Sequence, residues 1–324
     1  MTIPELRDLP VLVTGGAGFI GSHLTDELVR RGARVRVFDN FSNGRRENLA
    51  DSAASTEVIE GDLRDLEACR AAAQGMALVF HQAALGSVPR SMADPTTSLA
   101  VNAQGTAHML TAAREAGVER FVYASSSSVY GDSPSQLRRE GEEGRPLSPY
   151  AASKRMTEEL AEVFGIAYGL RTVGLRYFNI YGPRQDPDGP YAAVVPRFFK
   201  AALGGERPVI FGDGEQTRDF TYVADAVRAN LLAAGAPEAA NGRAFNVAGG
   251  AATSINRLAE LVFAQFGKPA EPRHEAPRPG DVKHSLADLE LARQHLGFAP
   301  QTELADGLAR SRAGYERILP PAGS

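Results

Sequence analysis

The sequence predicts an α/β protein built on a doubly wound parallel sheet, with a smaller, mixed α/β domain toward the C-terminus. Three observations carry this. Short β-branched runs alternate with amphipathic stretches through the first half of the chain, which implies right-handed crossovers between parallel strands. The first run, Val11-Leu12-Val13-Thr14, feeds straight into Gly15-Gly16-Ala17-Gly18-Phe19-Ile20-Gly21, glycines spaced G-x-x-G-x-x-G at the entry to a helix. The run Val35-Arg36-Val37-Phe38 then ends in Asp39, 18 residues after Gly21. Small residues at such a turn let the backbone approach a pyrophosphate, which meets the N–H groups and positive dipole end of the helix. An acidic residue at the tip of the second strand accepts from the adenosine ribose hydroxyls and repels a 2′-phosphate. The unit is therefore that of a Rossmann sheet, and its cofactor is NAD rather than NADP.

In order, the expected strands are Val11–Val13, Arg34–Phe38, Glu57–Glu60, Leu78–His81, Phe121–Ser125 and Thr172–Arg176. Helical patterns run over Phe19–Arg31, Asp65–Gln74, Asp94–Ala116 and Tyr150–Tyr168 between them. Asp62 follows the third strand, and Ala83 and Ala84 follow the fourth, at carboxyl ends where such sheets bind ligands. After Tyr177 the texture changes. Asn179–Gly189 reads as a long Gly/Pro/Asp loop, and Val194–Leu203 as a helix. Pro208–Phe211 reads as a short strand and Glu271–Gly280 as a Pro-rich loop. Val223–Ala234 and Ala244–Val247 look like a helix and strand returning to the main sheet; Ser254–Phe266, Asp288–Leu296 and Glu303–Ile318 are helical. This gives a cofactor domain of residues 1–178 plus about 222–248, and a substrate domain of 179–221 plus about 249–324.

Composition narrows the function classes. The net charge of −4 is spread without a basic stripe, so no nucleic acid partner is expected. No stretch is long and apolar enough to span a membrane, and the first ten residues lack a signal core, so a cytoplasmic enzyme is expected. The single Cys69 has no internal partner and reads as core. His23, His81, His108, His274, His284 and His295 are scattered without ligand spacing, and no metal is assigned.

Tyr150-Ala151-Ala152-Ser153-Lys154 opens the second long helical pattern, and positions i and i+4 share one helix face. An ammonium beside a phenol favours the phenolate, and a tyrosine so tuned can take a hydroxyl proton while hydride leaves the same carbon. The chain has 9 Tyr and 4 Lys in 324 residues, so chance gives about 0.1 such pairs, which lifts the motif above coincidence. Arginine supplies the other 31 basic residues, yet a guanidinium cannot do this chemistry. Upstream, the fifth strand ends in Ser125-Ser126-Ser127-Ser128-Val129-Tyr130-Gly131, hydroxyls that can bridge the reacting oxygen and the tyrosine.

With the glycine loop and Tyr-x-x-x-Lys in this order, the chain resembles the extended short-chain dehydrogenase/reductase family. Within it the chain resembles the UDP-hexose 4-epimerases over almost its full length. The motifs are Asp39-Asn40-Phe41-Ser42, Gly61-Asp62-Leu63, Leu175-Arg176-Tyr177-Phe178-Asn179, Arg218-Asp219-Phe220 and Arg278-Pro279-Gly280-Asp281. The bacterial group acting on N-acetylated UDP-hexosamines is the most similar, through His81-Gln82-Ala83-Ala84-Leu85-Gly86-Ser87-Val88-Pro89-Arg90-Ser91, Arg184-Gln185-Asp186-Pro187, Tyr191-Ala192-Ala193-Val194 and His284-Ser285-Leu286-Ala287-Asp288.

The resemblance implies roles. Tyr150 is the base, Ser126 the proton bridge and Lys154 the tuner and ribose ligand. Gly15, Gly18, Phe19, Ile20, Gly21, Asp39, Asn40, Ser42, Asp62, Leu63, Ala83, Ala84 and Tyr177 complete the NAD site. Gly86, Ser87, Ser127, Ser128, Asn179, Gln185, Ala193, Val194 and Ser285 surround the hexose. Arg218 and Arg278 hold the UDP phosphates, Asp281 the uridine ribose, and Ile210 and Phe211 the uracil. It also implies a homodimer through Asp94–Ala116 and Tyr150–Tyr168.

Ser127 and Ser128 stand where the related 4,6-dehydratases carry Asp-Glu. UDP-glucuronate 4-epimerases typically place Thr at the position of Asn179 and Arg at that of Asp186, and Asp186 would repel a carboxylate if it faced the sugar. That activity is the alternative; an NAD-binding sensor without turnover is a remoter one, and the intact Tyr150, Lys154 and Ser126 argue against it.

Overall fold

Seven parallel strands form one sheet: β1 (Pro10–Thr14), β2 (Arg34–Asp39), β3 (Thr56–Glu60), β4 (Leu78–His81), β5 (Arg120–Ser126), β6 (Thr172–Tyr177) and β7 (Arg243–Val247). Their order is β7-β6-β5-β4-β1-β2-β3. The computed structural model describes residues 2–188, 192–277 and 283–319. Strand order reverses on either side of β1, which pairs with β2 (Val11 opposite Val35) and with β4 (Val11 opposite Leu78). A crevice outside the carboxyl ends at that point is where such sheets bind ligands. β7 pairs in parallel with β6, Arg243 opposite Val173, so the chain does return to the sheet after a long excursion.

Side-chain alternation builds both layers. Val11, Val13, Val35, Val37, Phe80 and Val122 point into one apolar cluster, while Leu12, Phe38, Val79 and Phe121 point into another. The first cluster includes residues of α1 (Phe19–Arg30) and runs on into the C-terminal segments as far as Leu319. The second is closed by α2 (Leu66–Ala73), α3 (Gly105–Glu115) and α4 (Pro149–Tyr168), and Cys69 lies in it as expected. Local signals set these helices. The Asp65 carboxylate caps α2. Ser148 caps α4, Pro149 supplies a preset first turn, and Gly169 at φ 73° ends it. No side chain caps α1, which starts at Gly18.

Several elements depart from the sequence reading. The helix expected over Asp94–Ala116 is Pro95–Leu99, a π-turn at Ala100–Gln104, and α3. Within the expected loop after Asn179, Ile180–Tyr181 pairs with Thr221–Tyr222. Arg273–Glu275, expected as loop, pairs with Val209–Phe211. Leu286–Ala287 pairs with Leu137–Arg138. These short pairings lie up to about 150 residues apart in sequence, and nothing in their local pattern announces the partner.

Candidate active site

A cleft of about 710 Å³ opens at the carboxyl ends of the central strands. Every residue expected on the NAD side, from Gly15 to Tyr177, lines it. The glycine loop fits a pyrophosphate because side chains are excluded there. Gly15 sits at φ 67°, and a Cβ on it would lie 2.7 Å from the Ala83 backbone; a Cβ on Gly21 would lie 2.1 Å from the Gly15 carbonyl oxygen. At the tip of β2 the Asp39 carboxylate accepts the N–H of Phe41 at 2.8 Å and of Ala17 at 2.9 Å. Burial pushes its carboxyl above the ordinary range, and those two N–H groups oppose the shift. Asn40 donates to Asp62 at 2.9 Å, and Arg64 grips the same carboxylate at 2.9 and 2.7 Å, holding it well below the usual carboxylate range.

Tyr150 and Lys154 come from the first turns of α4 and meet the end of β5. The Tyr150 phenol lies beside Ser126, whose Oγ accepts the N–H of Ser128 at 3.2 Å. The Tyr150 backbone N–H donates to Ser91 Oγ at 3.0 Å, which seats the helix start. Lys154 is 5% exposed and donates to the Ala124 carbonyl at 2.8 Å. Burial pushes it down to about 8. The expected lowering of the Tyr150 phenol by Lys154 is not what this protein shows. Burial raises the phenol above its ordinary value, and only the Ser126 hydroxyl opposes this. The Lys154 ammonium is instead committed to the strand carbonyl.

Neighbouring groups are locked. His81 is held between Thr14 Oγ1 at 2.8 Å and Thr106 Oγ1 at 3.1 Å, and burial pushes it down to about 3, so it is neutral. The Tyr177 hydroxyl donates to Gln82 at 3.0 Å and accepts from Asn230 at 2.7 Å. Gln82 follows the fourth strand at its carboxyl end, where the sequence pattern predicts ligand binding, and it lines the cleft.

Of the expected hexose-side residues, Gly86, Ser87, Ser126, Ser127, Asn179, Gln185 and Ala193 line the same cleft. A Cβ on Gly86 would meet nothing within 4 Å. Gln185 donates to the Ile180 carbonyl at 3.0 Å, while its Oε1 is buried with no partner among the described residues. Ser128, with an unpartnered buried hydroxyl, and Val194, first residue of the helix Val194–Gly204, are not in the cleft wall.

The nucleotide-end residues are not brought into the cleft either. Ile210 is a core side chain, 1% exposed. Phe211 lies under the Arg197 guanidinium, and Arg218 donates to the Thr217 carbonyl at 2.8 Å. Ser285 sits between the strand Leu286–Ala287 and His284, whose Nδ1 is 3.0 Å from Thr217 Oγ1. Arg278 and Asp281 lie outside the described residues.

The sequence reading missed the cleft's rim. Arg45 pairs with Asp186 at 3.1 Å, so Asp186 meets a guanidinium. Arg184 reaches Asp26 at 2.7 Å and Asp51 at 3.0 Å. No group of three His, Cys, Asp or Glu among the described residues could hold a metal, and no described helix is long and apolar enough to cross a membrane.

Residues 11–248 match the model of the NAD dependent epimerase/dehydratase family. A UDP-glucose 4-epimerase of Mycolicibacterium smegmatis is 41% identical over 304 residues, 93% of this chain and 96% of that one. Among solved structures, the UDP-N-acetylglucosamine 4-epimerase of Methanobrevibacter ruminantium, in complex with UDP-N-acetylmuramic acid, superposes with a TM-score of 0.92 at 39% identity. It covers 97% of this chain and 100% of that one. The UDP-glucose 4-epimerase of Thermus thermophilus, in complex with NAD, gives a TM-score of 0.86 at 37% identity, covering 95% and 99%.

Proposed function

The chain belongs to the NAD dependent epimerase/dehydratase family, and we propose that within it the protein is a UDP-hexose 4-epimerase acting on UDP-GlcNAc/UDP-GalNAc and on UDP-Glc/UDP-Gal. The observation that carries this reading is that Tyr150, Lys154 and Ser126 line one cleft with the glycine loop and with the small residues Gly86 and Ala193. NAD⁺ held by these residues would supply the hydride acceptor for C4 of the sugar and, once reduced, the hydride donor. Gly15, Gly18 and Gly21 admit its pyrophosphate, and Asp39 takes its adenosine ribose.

Tyr150 takes the C4 hydroxyl proton, directly or through Ser126, and gives it back to the same oxygen once the turned 4-keto sugar is reduced on its opposite face. Because burial raises the phenol in the protein alone, the positive nicotinamide of bound NAD⁺ would have to add to the charge of Lys154 for Tyr150 to act near neutral pH. Asn179, Gln185 and Ser127 orient the hexose. Arg218, Arg278, Asp281 and Phe211 anchor the UDP end, so that the 4-keto sugar can turn about its link to the nucleotide. Residues 1–178 plus about 222–248 form the cofactor part and 179–221 plus about 249–324 the substrate part. Two copies pack through the face of α4 that exposes Met156, Val163 and Ile166, with the helices of 94–116.

One observation keeps UDP-glucuronate as a second substrate reading. The Asp186 charge that would repel its carboxylate is paired with Arg45. Incubation with UDP-GlcNAc, UDP-Glc and UDP-GlcA, followed by separation of the epimers, decides among them. Conversion of the first two is expected. Turnover of UDP-GlcA alone would replace the reading with the glucuronate one, and no turnover of any would leave the non-catalytic sensor.

A further inference from the structure

Behind the Tyr150–Lys154 pair lies a buried carboxylate that the reaction as described does not use. Tyr150, Lys154 and Glu158 follow at i, i+4 and i+8 along one face of α4. Glu158 is 8% exposed. Its Oε1 accepts the Ser125 hydroxyl and Arg176 Nε, the latter at 2.9 Å, and its Oε2 accepts Arg176 Nη2 at 2.8 Å. Ser125 stands between the two residues of β5 that serve the site: Ala124, whose carbonyl takes Lys154, and Ser126, which lies beside Tyr150. Arg176 comes from β6 and spends its other nitrogen, Nη1, on Glu143 and, at 3.1 Å, on the Tyr130 hydroxyl.

We propose that Glu158 is a positioning residue for the reaction: its carboxylate keeps Lys154 an ammonium at the end of β5 and locks α4 against β5 and β6, so that Tyr150 and Ser126 stay in register. This rests on Tyr150 and Lys154 being the catalytic pair. A buried ammonium with only a carbonyl to bond is costly, and a fixed negative charge nearby offsets that cost. The groups that face Lys154 leave few sources for such a charge. His81 on β4 is neutral, and β5 offers the Ala124 carbonyl and the serine hydroxyls. Arg176 on β6 is itself a cation, beyond Glu158, with Glu143 on its far side. Tyr150 is a neutral phenol on the same helix, as is Tyr123 on β5. Among the described residues, Glu158 is the one group whose charge favours the ammonium.

The test uses the NAD-loaded protein and two variants, Glu158→Gln and Glu158→Asp, in steady-state assays from pH 6 to 10. Glutamine keeps the shape and one acceptor but loses the charge, and leaves Arg176 adding its repulsion. Its kcat profile should lose its alkaline side about one pH unit lower than in the parent, the size a neighbouring charge commands, with KM changed less than about twofold. Glu158→Asp should restore most of the profile. Lysine-selective ¹⁵N labelling, with only four lysines in the chain, reads the Lys154 titration directly and needs no substrate.

A Glu158→Gln protein that is merely less heat-stable, with an unmoved kcat profile and an unmoved Lys154 titration, would overturn the proposal. If Glu158→Gln fails to fold, the aspartate variant decides, because a Lys154 titration and a kcat profile that move by the full unit there, although the charge is kept, would also overturn it. A parent that turns over no UDP-sugar indicts the functional reading instead, and the titration still judges Glu158.

Discussion

Arg45 and Asp186 meet across the mouth of the cleft, guanidinium to carboxylate at 3.1 Å. Arg45 belongs to the loop after β2, where its backbone N–H donates to the Ala17 carbonyl of the glycine loop at 3.0 Å. Asp186 belongs to the loop after β6. That second loop is pinned to α1 by Arg184 on Asp26 and by His23 on the Pro183 carbonyl at 2.9 Å. An epimerase that hands its hydride back must keep the reduced cofactor, and these contacts strap the two loops together over the NAD side. The Arg45–Asp186 pair is about half exposed and contributes about 0–1 kcal/mol, so Asp186→Asn should speed NADH release by up to about fivefold. Arg184→Ala, losing two carboxylates at once, should speed it more. Stopped-flow release followed by NADH fluorescence checks both, and unchanged rates in the pair of variants would remove the strap.

The purified protein should give up NAD(H), not NADP(H), on denaturation. The Asp39 carboxylate is fixed from two sides by Ala17 and Phe41, and even an added Cβ at Gly44 would come within 2.9 Å of it. The fixed carboxylate repels a 2′-phosphate at the position where it accepts from the ribose hydroxyls. Chromatography of the released nucleotide is sufficient, and a predominance of NADP(H) would refute the assignment of Asp39.

How much of this could be read from the sequence follows from the range of the interactions. The glycine loop, Asp39 and Tyr-x-x-x-Lys are local patterns dictated by one turn or one helix face, and their residues line one cleft. The rim was not legible, because Arg184 and Asp26 are 158 residues apart and each alone is an ordinary surface charge. The lowered phenol expected for Tyr150 failed for a different reason. Spacing reveals that a lysine is near but not that the Ala124 carbonyl takes its ammonium, nor how completely the site is buried. The nucleotide end failed at Ile210 because strand alternation points it into the core.

Asp219 should give stability a pH dependence of known sign. It is fully buried and accepts the N–H of Gly250 at 3.0 Å and of Ala287 at 3.3 Å, yet burial still pushes it up to about 6. A folded value above the unfolded one means that the folded state binds the proton more tightly. This group therefore costs nothing below about pH 4 and costs increasingly more as pH rises to 6, by about 3 kcal/mol in all. Urea melts of the parent and Asp219→Asn should converge in that sense: the parent's advantage shrinks between pH 4 and 6 and is flat above. A difference independent of pH would mean that Asp219 titrates as an ordinary carboxylate.

Tyr150→Phe keeps the ring, the helix start and the Ser91 contact, and removes the proton acceptor. The rate should fall by at least about 10²-fold, the low end for general acid–base catalysis, with UDP-sugar binding little changed. Because burial raises the phenol, the parent's rate should also rise with pH until the base is ionised. Equilibrium binding and kcat for the variant separate the two effects. Turnover near the parent rate would dismiss Tyr150 as the base.

Substrate size is the last test, and it bears on the acetamido group. The resemblance to the UDP-hexose 4-epimerases implies that Ser285 stands beside the hexose. Here Ser285 directly precedes the strand Leu286–Ala287, and that strand is paired to Leu137–Arg138 while His284 is bonded to Thr217, so the segment has little freedom to retreat. The cleft wall at Gly86 is open, with no atom within 4 Å of where a Cβ would stand, and Ala193 adds only a methyl. With Ser285 on the hexose side, as the family resemblance implies, Ser285→Tyr would place a ring against this space. Overpacking costs about 1–3 kcal/mol, roughly 5- to 150-fold in binding. The loss should fall on UDP-GlcNAc and UDP-GalNAc and spare UDP-Glc and UDP-Gal, which lack the group. The measurement is kcat/KM for both substrate pairs in parent and variant. Equal losses on the two pairs mean that Ser285 does not face the 2-substituent, and the pocket assignment then falls back on Gly86 and Ala193 alone.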